Sequence, residues 1–410
     1  MHKLRKFLVP GMLVIGQLIG MKTAYGAAGS LDPTFGTGGV TITNITLSSI
    51  DSIGLQSTGE ILVLIATPSN NEVLRYSTKG QLDTAFGSGG AAATIGASMS
   101  VASNDQILIA GIVTDPSNGQ TALEVERLNA NGSVDTSFGH QGQALADLGI
   151  RSPSNDVVLA EPDGSVLACA SLFPTGRRQP SQIALAHFTS SGALDTAFGA
   201  GGVTIANPPN GCGALAVLSN GDILVVDGQA VAEYTPHGSL LSMITPATVA
   251  ASSGGGFNVI QPNGDYLYSF ALFVGEESCG HDSSVEVERF TETGSADTTF
   301  ANPSFHFVPP GGPEMQAVPL GMAVAPSGDI VVVGSQTHFA TPQVITNGVA
   351  RLTPAGVLDS SFGNGGLVAN VSPTDAAINV VIVQPDGNIV TAGAGGSSNP
   401  GVVLYRFLGQ

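Results

Sequence analysis

Side chains able to bind or react are gathered in irregular segments of the 410-residue chain. The segment "LFVGEESCGHDSS" carries metal-ligating residue types, namely Glu276, Glu277, Cys279, His281 and Asp282. Such types coordinate cations when they converge, although a solvated acidic loop is the favoured interpretation of the pattern. A second segment, "SLFPTGRRQPSQ", holds Arg177 and Arg178 side by side. We interpret both segments as ligand-binding loops.

Three further polar residues share a position relative to predicted tight turns. Asp51, Asp156 and Asn379 each stand eight residues before a turn glycine. If the strands that follow them line a central tunnel, their oxygens gather at its mouth around a cation or a polar ligand. The alternative is that they are solvated or turn-capping residues.

Catalytic motifs are missing from the sequence. There is no G-x-S-x-G elbow and no H-E-x-x-H pair, which are the patterns that place a nucleophile or a zinc ion. We therefore predict no catalytic residues, no metal and no cofactor.

The first residues indicate export. "MHKLRKFLVPGMLVIGQLIGMKTAYGAAG" begins with basic residues, continues with a short apolar run and ends with small residues, which is typical of a secretory signal peptide. We assign residues 1–28 to it and expect cleavage just before Gly29. No later stretch approaches the roughly 20 apolar residues of a membrane span, so we predict a secreted or periplasmic protein with neither span nor lipid anchor.

The charge balance excludes several partners. The chain has 13 basic and 31 acidic residues, a net charge of −18. Polyanions repel such a surface, so nucleic acid is an unlikely partner class. We expect a monomer whose partner is a protein or a glycan.

The three cysteines lead to two predictions. Cys169 lies in the apolar run "SVLACAS", and we expect a buried thiol. Cys212 and Cys279 both fall near predicted loops, and an oxidising compartment permits a disulfide between them.

A short motif recurs along the chain. It reads G-x-[LVA]-D-[PTS]-[TAS]-F, and we call it the cap. Six copies begin at Gly29, Gly80, Gly132, Gly192, Gly294 and Gly356, and a degenerate copy begins at Gly238. The spacing of 46 to 62 residues indicates a repeat architecture in which each unit buries its apolar faces against its neighbours.

Each repeat contains the same series of strand signals. An apolar run precedes an Asp-Gly or Asn-Gly turn, as in "VVLAEPDG", and a second apolar run follows it, as in "NGDILVVDG". Such turns between apolar runs predict hairpins. We name the strands a, b, c and d, with the cap between c and d. Four antiparallel strands repeated seven times predict an all-β fold, a seven-bladed β-propeller.

The two ends of the chain complement each other. Residues after Gly29 supply a cap and strand d, whereas the last residues supply strands a, b and c. The spacing after Arg406 would be restored by joining Gln410 to Gly29. We therefore predict a single domain, residues 29–410, whose last blade is closed by N- and C-terminal strands, which removes exposed sheet edges.

The units "RLNANGSVDTSFGHQG" and "GVARLTPAGVLDSSFGNGGLV" resemble the delta-60 repeat family of bacterial β-propellers. The resemblance covers essentially residues 29–410. It implies the fold and no activity. The copy from Gly238 departs from the motif because it lacks both the Asp and the Phe.

Arginine and aspartate occupy fixed places in the repeat. The arginines, five residues before a cap glycine, are Arg75, Arg127, Arg289, Arg351 and Arg406. Where the cap aspartate is replaced by Leu241, the arginine is replaced by Glu233, so the two are lost together. We predict that each Arg pairs with its cap Asp or holds the carbonyls of a cap turn, and that the cap Phe packs between blades.

Three functions remain open at this point, one of which is a purely structural role as a component of the cell envelope. Long irregular loops, where binding residues tend to lie, all emerge on one face of the predicted propeller. The first hypothesis is an exported binding or scaffold module that engages a protein, glycan or small ligand through that face. The second is a propeller-type enzyme, a glycan lyase or hydrolase, with acidic groups at the tunnel mouth.

Overall fold

The computed structural model describes residues 26–115, 117, 119–149, 152–173, 182–206, 211–228, 230–244, 256–273, 282–308, 315–339, 344–369, 376–396 and 400–410. Every regular element in these ranges is a β-strand. The first nine strands are β1 (Val40–Thr43), β2 (Ser49–Leu55), β3 (Ile61–Ala66), β4 (Asn71–Tyr76), β5 (Ala91–Thr94), β6 (Ser98–Val101), β7 (Ile107–Thr114), β8 (Thr121–Leu128) and β9 (Gln143–Gly149).

Eight strands follow in the middle of the chain: β10 (Ser152–Ala160), β11 (Val166–Phe173), β12 (Gln182–Phe188), β13 (Val203–Ala206), β14 (Ala214–Val217), β15 (Ile223–Asp227), β16 (Ala230–Tyr234) and β17 (Leu240–Ile244). The last strands are β18 (Phe257–Ile260), β19 (Tyr266–Phe273), β20 (Ser283–Phe290), β21 (Ser304–Phe305), β22 (Met315–Val324), β23 (Ile330–His338), β24 (Val344–Leu352), β25 (Leu367–Ala369), β26 (Val380–Val383), β27 (Ile389–Ala394) and β28 (Val402–Phe407).

The strands pair in antiparallel sets of four, which we call blades. β2 to β5 form the first blade, β6 to β9 the second, β10 to β13 the third and β14 to β17 the fourth. The fifth, β18 to β21, and the sixth, β22 to β25, are joined into one sheet by a parallel bridge between Ser283 and Gln316. The seventh is β26, β27, β28 and β1. Strand a of each blade contacts strand a of the next, and β26 contacts β2.

The apolar core lies between blades, because the strands b are buried on both faces. In β3, Leu62 and Leu64 pack against the second blade, whereas Ile61 and Val63 pack against the seventh. Side chains alternate across a strand, so one continuous apolar run fills two interfaces. This explains why the sequence shows apolar runs in strand b without alternation.

The predicted pairing of the chain ends is observed. Val40 of β1 stands opposite Tyr405 of β28. Gly29 donates its N–H to the carbonyl of Leu408 (2.8 Å), and Leu408 donates to Ser30 (2.9 Å). In the first blade, where the chain is continuous, the equivalent bonds run from the N–H of Gly80 to the carbonyl of Ser77 and from the N–H of Ser77 to the carbonyl of Gln81.

One detail of this junction differs from the sequence-based prediction. Gly409 and Ala28 take the two central turn positions that Thr78 and Lys79 occupy in the first blade, since Gly409 accepts from Arg351 and Ala28 accepts from Gly363 (2.9 Å). The turn position that residue spacing assigned to Gln410 is therefore occupied by Ala28. The reason is that hydrogen bonding to the sixth blade, and not residue spacing alone, selects the turn residues.

The repeated arginine does both things that were predicted as alternatives. Arg127 donates from Nε to Oδ2 of Asp135 (2.8 Å) and from Nη1 to the carbonyl of Ser190 in the next blade (2.8 Å). Its guanidinium also lies over the ring of Phe138, with 4.3 Å from Cζ to the ring centroid, a favourable cation–π geometry. We call this set the arginine clamp. The other clamps are centred on Arg75, Arg289, Arg351 and Arg406.

The caps add a second contact between neighbouring blades. The N–H of Gly139, which follows the cap phenylalanine, donates to the carbonyl of Ser191, which precedes the next cap glycine (2.7 Å). We call this the cap bond. Gly132 needs its positive φ of 84°, and an added Cβ there would lie 2.8 Å from the ring of Phe86. A glycine at this position therefore lets the ring of the preceding blade approach the turn.

The cysteine predictions are wrong in two respects. Cys169 is buried but is not a free thiol, because it is bonded to Cys212, with 6.3 Å between the Cα atoms. Cys212 is therefore not available for the predicted bond with Cys279, which lies outside the described residues. The physical reason is register: Cys169 faces the fourth blade from β11, directly opposite the segment that enters β14.

We predict that Arg127→Ala lowers the free energy of unfolding by roughly 3 to 5 kcal/mol, because the change leaves the buried carboxylate of Asp135 without its cation. Thermal unfolding followed by circular dichroism measures the effect. Lys79→Ala, which removes an exposed cation from a turn, is the matched control and should leave the melting temperature within a degree or two. Equal melting temperatures for wild type and Arg127→Ala would show that the clamp carries no stability.

Candidate functional site

Two of the three predicted tunnel-mouth residues act on each other. Asp51 lies in β2 and Asp156 in β10, the strands a of the first and third blades, with β6 between them. The side chains of Ser98 and Ser100 on β6 accept hydrogen bonds from the backbone of β10 at 3.2 and 3.1 Å. These two bonds join β10 to β6, and β6 in turn lies beside β2, the strand that carries Asp51.

β-Bulges occur where these residues lie. The register of β2 shifts between Ile50 and Ser52, so Asp51 is the extra residue. The register of β10 shifts between Ser154 and Asp156. A bulge turns side chains away from their regular positions and is common beside functional sites.

The electrostatics of the pair are unusual. Burial and the negative charge of Asp51 raise the pKa of Asp156 to about 6. Within the described part of the chain, Oδ2 of Asp156 is buried and has no hydrogen-bond partner. Asp51 has one oxygen engaged, since Oδ1 accepts from Ser49 Oγ at 2.6 Å. Oδ2 of Asp156 is thus able to accept a hydrogen bond from a ligand.

Asn379, the third predicted residue, serves its own blade. Its Oδ1 accepts from the N–H of Ala394 at 3.3 Å. This bond links Asn379 to strand b of the same blade, and ligand binding by Asn379 stays a prediction.

Most of the predicted loop residues lie outside the described residues; these are Arg177, Arg178, Glu276, Glu277 and His281. Asp282 is described and exposed. Its Oδ1 accepts from the N–H of Met315 at 2.8 Å. Asp282 therefore helps to attach the sixth blade to the fifth.

The sixth blade carries an exposed apolar edge on the loop face. Its strands β22, β23 and β24 have 10, 9 and 9 residues and extend toward the loops that connect b to c. At the start of β24, Val344 is 51% exposed and Ile345 is 64% exposed. Adjacent exposed aliphatic side chains at such a position are suited to contact with a partner.

A buried acidic pair was not predicted from the sequence. Glu124 and Glu126 lie on one face of β8, toward the first blade, where Glu126 accepts from Thr94 Oγ1 at 2.6 Å. Burial and the charge of Glu126 raise the pKa of Glu124 to about 7. The signal was available in "LEVERL", since two glutamates alternate with apolar residues in a strand that is buried on both faces.

The cap aspartates have a structural role. In Asp135, Oδ2 binds Arg127 and Oδ1 accepts from the N–H and hydroxyl of Ser137 at 3.1 and 2.6 Å. Each of these oxygens is thereby engaged by the chain itself. Among the residues that the structure describes, no group of three or more His, Cys, Asp or Glu side chains is arranged to hold a metal ion.

The third blade has a histidine at the clamp position. His187 lies between two carboxylates, with Nε2 at 2.8 Å from Glu161 and Nδ1 at 3.0 Å from Asp195. The hydrogen bond to Glu161 in particular raises the pKa of His187 above its ordinary value. Its stabilising charge is therefore complete below the ordinary imidazole pKa and is lost as the pH rises through the raised value.

Comparison with protein families supports the fold. Residues 102–138 and 325–362 match the family described as DUF5122, a β-propeller domain of unknown function. Each match runs from the a to b turn to a cap phenylalanine, so strands b and c with the cap are the recognised unit. The chain has a β-propeller fold, and the finer resemblance to delta-60 repeats stays a prediction. No curated protein sequence matches the chain.

Solved structures show weak likeness. The extracellular domain of BT4673 from B. thetaiotaomicron is 14% identical, with a TM-score of 0.41 over 89% of this chain, and this chain spans 40% of its length. A protein from Lactobacillus plantarum is 14% identical, with a TM-score of 0.46 and coverage of 89% and 97%. Polysaccharide lyase Uly1 is 10% identical, with a TM-score of 0.45 and coverage of 90% and 91%. Each of these three TM-scores is below 0.5.

None of the described residues form a helix that is long and apolar enough to span a bilayer.

We predict that Asp156→Asn stabilises the fold at pH 7.5 by up to about 3 kcal/mol, since the pKa of Asp156 rises from 3.8 to about 6 on folding. Because folding raises the pKa of Asp156, the free energy of unfolding decreases as the pH increases from 3.8 through about 6. Chemical unfolding at pH 4 and at pH 7.5 measures the difference between variant and wild type. A variant that is less stable at both pH values would assign Asp156 a structural role instead.

Proposed function

We propose that this chain is an exported, seven-bladed β-propeller that acts as a non-catalytic binding module and engages a protein, glycan or small ligand through its loop face. The observation that carries the proposal is the acidic pair of Asp51 and Asp156 on strands a. A buried carboxylate oxygen without a partner lowers stability, and such costs are commonly found at functional sites. The pair favours a ligand group that donates hydrogen bonds, such as an ammonium or a sugar hydroxyl.

The closed ring is supported by polar contacts between neighbouring blades. Arginine clamps or cap bonds connect the first blade to the second, the second to the third, the third to the fourth, and the fifth through the seventh back to the first. Arg406 of the seventh blade reaches the carbonyl of Thr78 in the first at 2.6 Å. A ring of seven blades accounts for this order.

We predict that a circular permutant folds. Gly409 would be joined directly to Ala28, and the chain would be opened between Thr78 and Lys79, whose carbonyls correspond to those of Gly409 and Ala28. Because the new opening has the same hydrogen bonds as the old one, the melting temperature should stay within a few degrees. A permutant opened inside β7 is the control and should not fold. If the first permutant is also unfolded, the ring is wrong.

The loop face offers an apolar area beside its acidic one. Val344 and Ile345 are exposed at the start of β24, on the same face as the mouth at which Asp51 and Asp156 lie. Binding sites combine apolar contact with a few polar groups that fix orientation. A partner with an apolar surface and a donor group fits this combination.

The acidic pair also favours a second function. A carboxyl group with a pKa of about 6 beside a second carboxylate is suited to general acid catalysis, and two carboxylates are what glycoside hydrolysis requires. The alternative is therefore a glycan lyase or hydrolase with its acid at Asp156. It differs from the first proposal in one observable: an enzyme shortens the glycan that it binds.

We predict that the wild-type protein captures its partner from envelope extract or culture medium, and that Asp51→Asn with Asp156→Asn reduces capture at least tenfold. Arg177→Ala with Arg178→Ala tests the second part of the loop face in the same assay. The matched control is Lys79→Ala with Asp386→Asn on the tight turns, where capture should equal that of wild type. Equal capture by all variants, or loss in the turn-face control, contradicts binding through the loop face. Shortened glycan chains in the eluate would establish the enzymatic alternative.

A further inference from the structure

Two cavities lie on the face of the tight turns, each between the a to b turns of two neighbouring blades. The larger one, of about 600 Å³, lies between the sixth and seventh blades, and its lining includes Ala325 and Arg351. The smaller one, of about 240 Å³, lies between the second and third blades, and its lining includes Ala102 and Arg127. Both cavities thus combine a clamp arginine with an alanine.

The two alanines hold the same position in their turns. Ala325 donates its N–H to the carbonyl of Asp329, four residues ahead, at 2.8 Å, and Ala102 makes the same bond in the second blade. In the first blade Gln56 takes this position, since its N–H donates to the carbonyl of Glu60 at 3.0 Å. The first blade therefore shows which bonds a longer side chain makes at this point of the repeat.

Gln56 fills the space beside its clamp with a carboxamide. Its Oε1 accepts from Nη1 of Arg75 at 3.2 Å. Its Nε2 donates to two carbonyls of the second blade, those of Asp105 at 3.2 Å and Ala130 at 3.0 Å. The group thus accepts on one side and donates on the other. An ionised carboxylate has no donor and an ammonium has no acceptor, so neither makes this set of bonds.

The clamp of the sixth blade has no such glutamine. Nη1 of Arg351 donates to the carbonyl of Gly409 in the seventh blade. Within the residues that the structure describes, Nη1 has no second acceptor, because Ala325 ends at Cβ where Gln56 carries its carboxamide. An acceptor placed in the larger cavity can therefore use the second N–H of this nitrogen.

Two backbone carbonyls at the larger cavity correspond to those that bind Gln56. Gly387 holds the turn position of Asp105, because each donates its N–H to the first residue of its a to b turn at 2.9 Å. Gly409 corresponds to Ala130, since each accepts from the clamp arginine of the preceding blade. Gly409 also lies against Gly387, because an added Cβ would collide with the carbonyl oxygen of Gly387. The partners of the carboxamide are thus present together at this boundary.

The rest of the lining selects the charge of a ligand. Val331, Val383 and Ile389 supply aliphatic surface, and Asp329 and Asp386 add two carboxylates. The charge of Arg351 is already balanced by Asp359, with 2.7 Å between Nη2 and Oδ2. Coulomb repulsion from the two other carboxylates therefore disfavours an anion.

Of the two cavities, the larger one has the size of a ligand site. Small-molecule sites have volumes of roughly 300 to 1,000 Å³, a range that includes about 600 Å³ and excludes about 240 Å³. Gln106 lines the smaller cavity, where its Nε2 donates to Oδ2 of Asp135 at 2.8 Å. The smaller cavity is therefore suited to be a matched control.

We infer that the cleft between the sixth and seventh blades binds a small, uncharged or cationic compound through a primary carboxamide. The carboxamide oxygen accepts from Nη1 of Arg351, and its NH₂ group donates to the carbonyls of Gly387 and Gly409. The carbon chain of the compound lies against the aliphatic lining. This site is on the face opposite the loop face and is independent of the function proposed above.

Saturation-transfer NMR with the intact wild-type protein tests the inference. The probes are propionamide, which is the side chain of glutamine, and L-glutaminamide, which extends it with an ammonium group. We expect both to bind, and propionate to bind at least about tenfold more weakly because it donates no hydrogen bond. Equal binding of propionamide and propionate would overturn the carboxamide assignment, and binding of neither amide would overturn the site. Binding of a tripeptide with a central glutamine, but of neither small amide, would overturn the assignment to a small compound.

Variants of the turn alanine locate the site. Ala325→Gln brings in the side chain that fills the first blade, and Ala325→Leu brings in the residue type of Leu218 at the same turn position. Each should weaken binding of L-glutaminamide at least about tenfold, because the carboxamide of the probe loses its bonds. Ala102→Gln, the matched change at the smaller cavity, should leave binding unchanged.

Circular dichroism checks that each variant is folded. Undiminished binding by a folded Ala325 variant, or an equal loss in Ala102→Gln, contradicts the inference. If neither Ala325 variant folds, the comparison of propionamide with propionate on the wild-type protein decides.

Discussion

The arginine clamp is the interaction on which the architecture depends. One guanidinium neutralises a carboxylate in its own blade, covers a phenylalanine ring and donates to a carbonyl of the next blade. Its planar set of donors allows these contacts at the same time, which a lysine does not. Because the side chains are largely buried, each contact is strengthened by the low dielectric and each would be costly to leave unmade. Blades of few residues are thereby positioned by contacts with their neighbours.

The repeat and its pairing were accessible to sequence analysis because they are periodic. The joint loss of Arg and Asp in the fourth blade indicated a pair, and the clamps confirm it. The contact of each arginine with the neighbouring blade was only one of two alternatives, since the twist between blades decides which carbonyl lies within reach. The disulfide was predicted wrongly because its partner depends on strand register. Whether Cys169 faces its own or the next interface depends on a register that residue spacing does not fix.

The candidate site was predicted in part. Equal distance from the turns placed Asp51 and Asp156 correctly on strands a, but their interaction depends on two bulges, which have no signal in a single sequence. Asn379 has the same spacing and bonds to its own blade instead. Glu124 and Glu126 were not predicted, because their burial depends on the neighbouring blades that cover strands b and c on both sides. Burial in this fold follows from the position in the repeat more than from residue type.

The split turn at Gly409 and Ala28 has a consequence for synthesis. Strand β1 is synthesised before the other described strands, whereas β28, the strand it pairs with, follows all of them, so Val40 cannot pair with Tyr405 until late in synthesis. Closing so long a loop is entropically unfavourable and makes this pairing a late event. An incomplete chain would leave β1 and the first blade with open edges, which favour aggregation and degradation. The junction thus makes assembly of the seventh blade wait for β28, since β1 keeps an open edge until that strand has been synthesised.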